Sequence, residues 1–230
     1  MKLLLAATSC CLALGLSAAP ALAKPAVSFP AKLLRSSQVL GVNVYDSNGN
    51  QIGEINDVVF DENSGGMTRD ILDINNYLSL NDQLTPLEWN KIETQKTDDG
   101  NYKFVVNASK PELKKENSFK KDHWPDLNKA WTQEMTKNRN VKLVRMSKTN
   151  DAKLFDTTGH EIGGIKDVMV DSHSGKVAYA VVTFSNAFIN KGDKLTMMPW
   201  MLLRQSKSAS PGYVLHATKD KLEGATFFHA

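Results

Sequence analysis

Two aspartates, Asp57 and Asp167, stand 110 positions apart in the same local sequence, Ile-x-Asp-Val. Paired carboxylates can do general acid–base work when their environments push their pKa values apart. One Asp per copy at a strand bend can instead accept hydrogen bonds from backbone N–H groups, and that structural role is the expected one. Asp46-Ser47-Asn48-Gly49-Asn50 is rich in oxygen ligands, as a calcium loop is. An EF-hand needs Gly at its sixth position and Glu at its twelfth. Counted from Asp46, those places hold Gln51 and Asp57, and the counterpart Asp156-Thr157-Thr158-Gly159-His160 has fewer ligands still. A hairpin turn is expected at both. None of His123, His160, His173, His216 and His229 forms the His-x-x-x-His spacing of a zinc helix. Ser64 and Ser174 lie beside Gly without the strand–Gly-x-Ser-x-Gly–helix setting of a nucleophile. The expectation is therefore a protein that is not an enzyme, with no catalytic residue, metal ligand or cofactor assigned. Trp124 and Trp131 are the candidate partner-binding residues. They could form an aromatic platform, or they could pack a short helix onto its neighbour.

The elements that carry these residues are repeated. Shifting the chain by 110 positions places Leu33, Arg35 and Ser37 on Leu143, Arg145 and Ser147. Asp46, Gly49, Ile52, Gly53, Ile55, Asp57, Val58, Asp61, Ser64 and Gly65 fall on identical residues without a gap. With small length changes, Trp89 falls on Trp200 and Val105 on Val214. This period exceeds the ~20–50 residues of solenoid repeats, so each copy is expected to be a domain. Each reads as short strands separated by Asn/Asp/Gly turns, with a Gly inside one strand that marks a bulge or a close backbone approach. Between the copies, Asp126 can cap a short helix carrying Leu127, Ala130, Trp131 and Met135 at helical spacing.

The pattern Tyr45-Asp46…Gly49…Ile52-Gly53…Ile55…Asp57-Val58, repeated as Phe155-Asp156…Gly159…Ile162-Gly163…Ile165…Asp167-Val168, resembles the PRC-barrel family. The resemblance covers most of both copies. It implies a mainly β fold of two small barrels in tandem, similar to those of the photosynthetic reaction-centre H subunit. It also implies docking or assembly modules rather than catalysts, and brings no shared catalytic residues.

The first segment reads as a targeting signal: Lys2, an uncharged apolar run from Leu3 to Ala19, and a small-x-small site at Ala21-Leu22-Ala23. An uncleaved anchor is the alternative. Cleavage would remove Cys10 and Cys11, leaving a cysteine-free chain in an oxidising compartment, and so excludes disulfides and thiolate chemistry. The resulting map is a signal peptide (1–23), an N-terminal extension (24–37), a first barrel (38–113), a basic, partly helical connector (114–140) and a second barrel (141–230).

The 230 residues carry a net charge of +3, with 41% hydrophobic and 23% charged, which excludes wholesale disorder and gives no nucleic-acid signature. That total conceals an uneven distribution. Residues 38–109 hold 4 basic and 12 acidic side chains, and residues 110–148 hold 11 basic and 5 acidic. The basic connector could fold back on the acidic first barrel. Alternatively, Lys114, Lys115, Lys120 and Lys121 could touch an anionic membrane surface, where each contributes ~1 kcal/mol. The expected function is a periplasmic docking or scaffold protein with an unknown envelope partner. A ligand- or metal-binding sensor using the cleft between the barrels is the alternative.

Overall fold

Each repeat folds as short strands separated by turns that its own sequence dictates. The computed structural model describes residues 33–98, 100–135, 141–189, 191, 194–206 and 212–229. The expected signal segment, with Cys10 and Cys11, lies outside the described residues. In the first half the strands are β1 (Leu33–Arg35), β2 (Asn43–Tyr45), β3 (Gln51–Asp61), β4 (Met67–Asp73), β5 (Gln83–Glu88), β6 (Ile92–Lys96), β7 (Tyr102–Val106) and β8 (Phe119–Lys120). In the second they are β9 (Leu143–Arg145), β10 (Lys153–Phe155), β11 (Glu161–Asp171), β12 (Lys176–Phe184), β13 (Leu195–Pro199), β14 (Leu203–Gln205), β15 (Gly212–Leu215) and β16 (Phe227–Phe228). The described residues also form four short α-helices, α1 (Asn75–Leu78), α2 (Lys110–Leu113), α3 (Leu127–Met135) and α4 (Lys219–Glu223), and four single 3-10 turns.

The loop read as a hairpin turn is one. Asp46 accepts the N–H groups of Asn48 and Asn50, and Gly49 takes a φ of +84° that suits a residue without Cβ. Asp156 does the same for Thr158 and His160. The Asn50 side-chain amide on Asp46 and the Thr158 hydroxyl on Asp156, together with these N–H groups, lower the pKa of both carboxyls. The glycines inside the long strands mark close approaches. A Cβ on Gly53 would run into the carbonyl of Asp73, and one on Gly163 into that of Thr183.

Two eight-stranded sheets result. One runs β6-β7-β2-β3-β4-β5-β8 with β9 also on β3, and the other β14-β15-β10-β11-β12-β13-β16 with β1 also on β11. The chain therefore exchanges arms. Leu33–Arg35, read from the sequence within an N-terminal extension, pair with Met169–Asp171 of the second sheet. Leu143–Arg145, at the start of the second repeat, pair with Val59–Asp61 of the first. One contiguous apolar core runs through both barrels, from Leu34 and Phe60 to Val182 and Leu215. A smaller core lies beneath the connector, where Trp131 packs with Val59, Ile71, Leu84 and Leu143.

The connector lies on the first barrel. β8 pairs with β5, and Lys121 Nζ reaches Asp73 Oδ2 at 2.5 Å. Asp126 accepts the N–H groups of Asn128 and Lys129 at the start of α3. No described helix is long and apolar enough to cross a membrane.

Candidate functional site

The repeated aspartates sit where the arms cross. In β3 the register against β4 slips between Ile55 and Asp57, leaving Asn56 as the extra residue of a bulge. β11 slips in the same way between Ile165 and Asp167. A bulge re-aims the side chain that follows it. Asp57 is thereby fully buried and turned toward the crossing arm. Its Oδ1 accepts the N–H of Ser147 at 3.0 Å, and its Oδ2 accepts the Ser147 hydroxyl at 2.5 Å and Arg145 Nε at 2.7 Å. Asp167 accepts the N–H and hydroxyl of Ser36, at 3.1 and 2.5 Å. Asn150 Nδ2 then donates to the Ser36 hydroxyl at 2.8 Å. Each aspartate also accepts the N–H of its own successor, Val58 or Val168. These carboxylates are clamps: both oxygens of Asp57 and Oδ1 of Asp167 accept hydrogen bonds from the crossing arms.

The clamps are not identical. The repeat aligns Ser37 with Ser147, yet Ser36 holds Asp167. Only the first clamp has an arginine, whose guanidinium carbon lies 3.5 Å from the Trp124 ring centroid. Trp124 in turn meets Phe119 edge-on. Trp124 is thus half-buried over Arg145. Trp131 is buried, with Arg69 over its ring at 5.5 Å. The two tryptophans singled out in the sequence pack the connector onto the barrel, and Trp131 presents no open platform. Lys114, Lys115 and Lys120 are exposed. Lys121 is exposed too, but Asp73 holds it, and that hydrogen bond raises its pKa.

A second pair of reciprocal contacts joins the hairpin tips. Met67 N–H donates to the Gly175 carbonyl and Val177 N–H to the Gly65 carbonyl, both at 2.8 Å. A Cβ on Gly65 would meet the Val177 carbonyl at 2.6 Å, and one on Gly175 the Trp89 indole at 2.7 Å. Each tip thus rests near the tryptophan of the other barrel.

At these tips the two sides diverge. On one side Trp200 is buried, donates from Nε1 to the Glu62 carbonyl at 2.9 Å, and packs edge-on against Phe60 and Tyr213. The buried Glu62 carboxylate accepts the backbone N–H of Gln205 and lies 3.0 Å from Lys142 Nζ. Burial and the Glu62 charge together push the Tyr213 hydroxyl well up. On the other side Ser172 stands at the Glu62 position, Trp89 is only half-buried, and a groove of about 570 Å3 opens beside β6. Among the described residues, no group of three or more His, Asp or Glu side chains could hold a metal ion.

The repeated Asp motif was visible in the sequence. The groove was not, because its signal is no more than three differences between the aligned turns, Glu62 to Ser172, Asn63 to His173 and Gly66 to Lys176. Comparison with curated proteins gave no match. The family model of the PRC-barrel domain matches twice, over residues 32–113 and 143–222, each match beginning at an exchanged arm. With more than half of its length matched, the chain belongs to the PRC-barrel domain family and contains that domain in two copies.

Proposed function

We propose that the protein is a non-enzymatic docking or scaffold module of the cell envelope, periplasmic after removal of its signal. The observation that carries this reading is the use made of the repeated polar residues. Asp57, Asp167, Ser36 and Ser147 bond one another across the arms, so the residues best suited to chemistry build a two-barrel body instead. Such a body offers sheet edges and loops to a partner, and a fold by itself assigns no reaction. The kinship to reaction-centre H barrels suggested by the sequence points the same way. Crosslinking in intact cells followed by affinity purification is expected to return an envelope protein, and N-terminal sequencing a chain that starts at Lys24. Recovery with cytoplasmic ribosomal proteins and an intact signal would overturn this reading.

The groove between Trp89 and His173 favours the ligand-binding half of a second reading, a ligand- or metal-binding sensor. A thermal-shift panel with Ca²⁺, Zn²⁺ and phosphate tests it, since a ligand of the native state alone raises Tm. The exposed Lys114, Lys115 and Lys120 support peripheral contact with an anionic membrane. Flotation with anionic liposomes at low salt tests that contact, and absence of binding removes it.

A further inference from the structure

The two hairpin seams are built from the same parts, and one of them is filled by the chain itself. We infer that the open seam beside β6 is a docking site for an acidic loop of a partner protein. A carboxylate of that loop bonds the outward backbone N–H of Thr94, as Glu62 bonds Gln205 in the other barrel. This rests on the docking reading above and names the chemistry of the partner.

The register fixes which backbone groups face outward. In the β6–β7 pair, Asn107 N–H donates to the Lys91 carbonyl and Thr97 N–H to the Asn101 carbonyl. Hydrogen-bonded positions alternate along an antiparallel pair, so Ile92, Thr94 and Lys96 turn their N–H and C=O groups away from β7. Among the described residues no strand lies beyond β6, the edge of its sheet. In the second barrel Ser206 and His216 set the same alternation on β14 and β15, which turns the Gln205 N–H outward. There the Glu62 carboxylate meets it.

Thr94 is the counterpart of Gln205. Both lie five residues after the tryptophan that opens a 3-10 turn, Trp89 or Trp200, and both follow a buried apolar residue, Ile92 or Leu203, by two. No backbone carbonyl among the described residues accepts a hydrogen bond from the Thr94 N–H. Ser172, in the place of Glu62, also lines this groove, but its side chain is two carbons shorter and carries no charge. Trp89, Ile92 and Tyr102 supply an apolar floor. Glu93 and Lys96 rim the groove with opposite charges, so the amide rather than a net field selects the carboxylate.

The chain provides its own probe, the heptapeptide Phe-Asp-Glu-Asn-Ser-Gly-Gly copied from Phe60–Gly66. Added to the ¹⁵N-labelled mature chain, it is expected to shift the Thr94 amide and Trp89 indole resonances, binding about five-fold more tightly than the same peptide with Gln for Glu. Ser172→Glu is expected to refill the seam from within, abolishing these shifts and raising Tm. Thr94→Pro removes the amide at an edge position where proline is tolerated, and is expected to abolish binding without the added charge. No binding at millimolar peptide, equal affinity for the Gln peptide, shifts away from β6, or binding that survives both substitutions would each overturn the site. If a crosslinked envelope partner is retained by both variants, the docking reading stands and this site falls. If no form captures a partner, the docking reading falls while the titration still decides the site.

Discussion

Asp57 and Asp70 are both buried aspartates of the first barrel, thirteen positions apart in sequence, and their surroundings give them opposite effects. Asp57 is matched by Arg145 and by both polar groups of Ser147. Removing one partner of a buried, hydrogen-bonded ion pair costs about 3–5 kcal/mol. Asp57→Ala is therefore expected to destabilise by about that much in urea unfolding, and Ser147→Ala by about 1 kcal/mol. Asp70 has neither oxygen bonded, and burial raises its pKa well above the usual carboxylate value. Such an acid holds its proton more tightly folded than unfolded. Stability is then fullest below the ordinary carboxylate range and is lost as the pH rises from there toward the folded value. The aligned position of the second repeat is Ala180, also fully buried, so this place in the barrel accepts a methyl group. Asp70→Ala is expected to stabilise by roughly 1–3 kcal/mol at pH 8 and to flatten the fall in Tm between pH 5 and pH 8. An unchanged pH profile would show that Asp70 binds its proton equally well in the folded and unfolded states, against the raised folded value.

Among the elements, what was legible in the sequence was local. The Asp46 and Asp156 turns, the bend at Asp57 and the capped helix at Asp126 depend on contacts within a few residues, so residue type and spacing expose them. The arms were not legible. Leu33-Leu34-Arg35 and Leu143-Val144-Arg145 are nearly the same sequence, and β3 and β11 offer them nearly the same edge. Local pattern cannot choose between pairing at home and pairing across. Chain connection and the shared core make that choice, and neither shows in periodicity. The tight tips are a consequence of the crossing. Gly65 has a φ of +72° and faces the Val177 carbonyl of the other barrel, where a Cβ would sit at 2.6 Å. Gly65→Ala combines the ~1–2 kcal/mol of a left-handed L-residue with a backbone clash. It is expected to cost more than 2 kcal/mol, whereas Gly100→Ala, also at positive φ but in open space, costs only the conformational part. Equal losses in thermal melts would place the seam outside the stability-determining structure.

At the scale of the molecule, exchanged arms make each barrel incomplete without the other. β9 covers Val59–Asp61 of the first sheet, and β1 covers Met169–Asp171 of the second. The apolar core is continuous across both, so opening one barrel exposes surface in its neighbour. Unfolding is therefore expected as a single cooperative transition rather than two, with calorimetric and van't Hoff enthalpies in agreement. The sharper consequence is non-local. Removing residues 24–38 deletes a segment at the start of the first repeat, yet it takes away β1, and with it the Ser36 clamp on Asp167. Hydrogen exchange should then quicken at Val168–Asp171 of β11, more than 130 residues downstream, while Ile71 and Leu72 of β4 keep their protection. If the first barrel loosened instead, the arm would be serving its own repeat and the exchange would be wrong. A free arm can also pair with the same edge of a second chain, so the deletion variant supplied with a peptide of residues 31–40 should recover its β11 protection. That recovery would establish the arm as a separable strand held by its clamp, which is the property that lets two copies of one small barrel act as a single body.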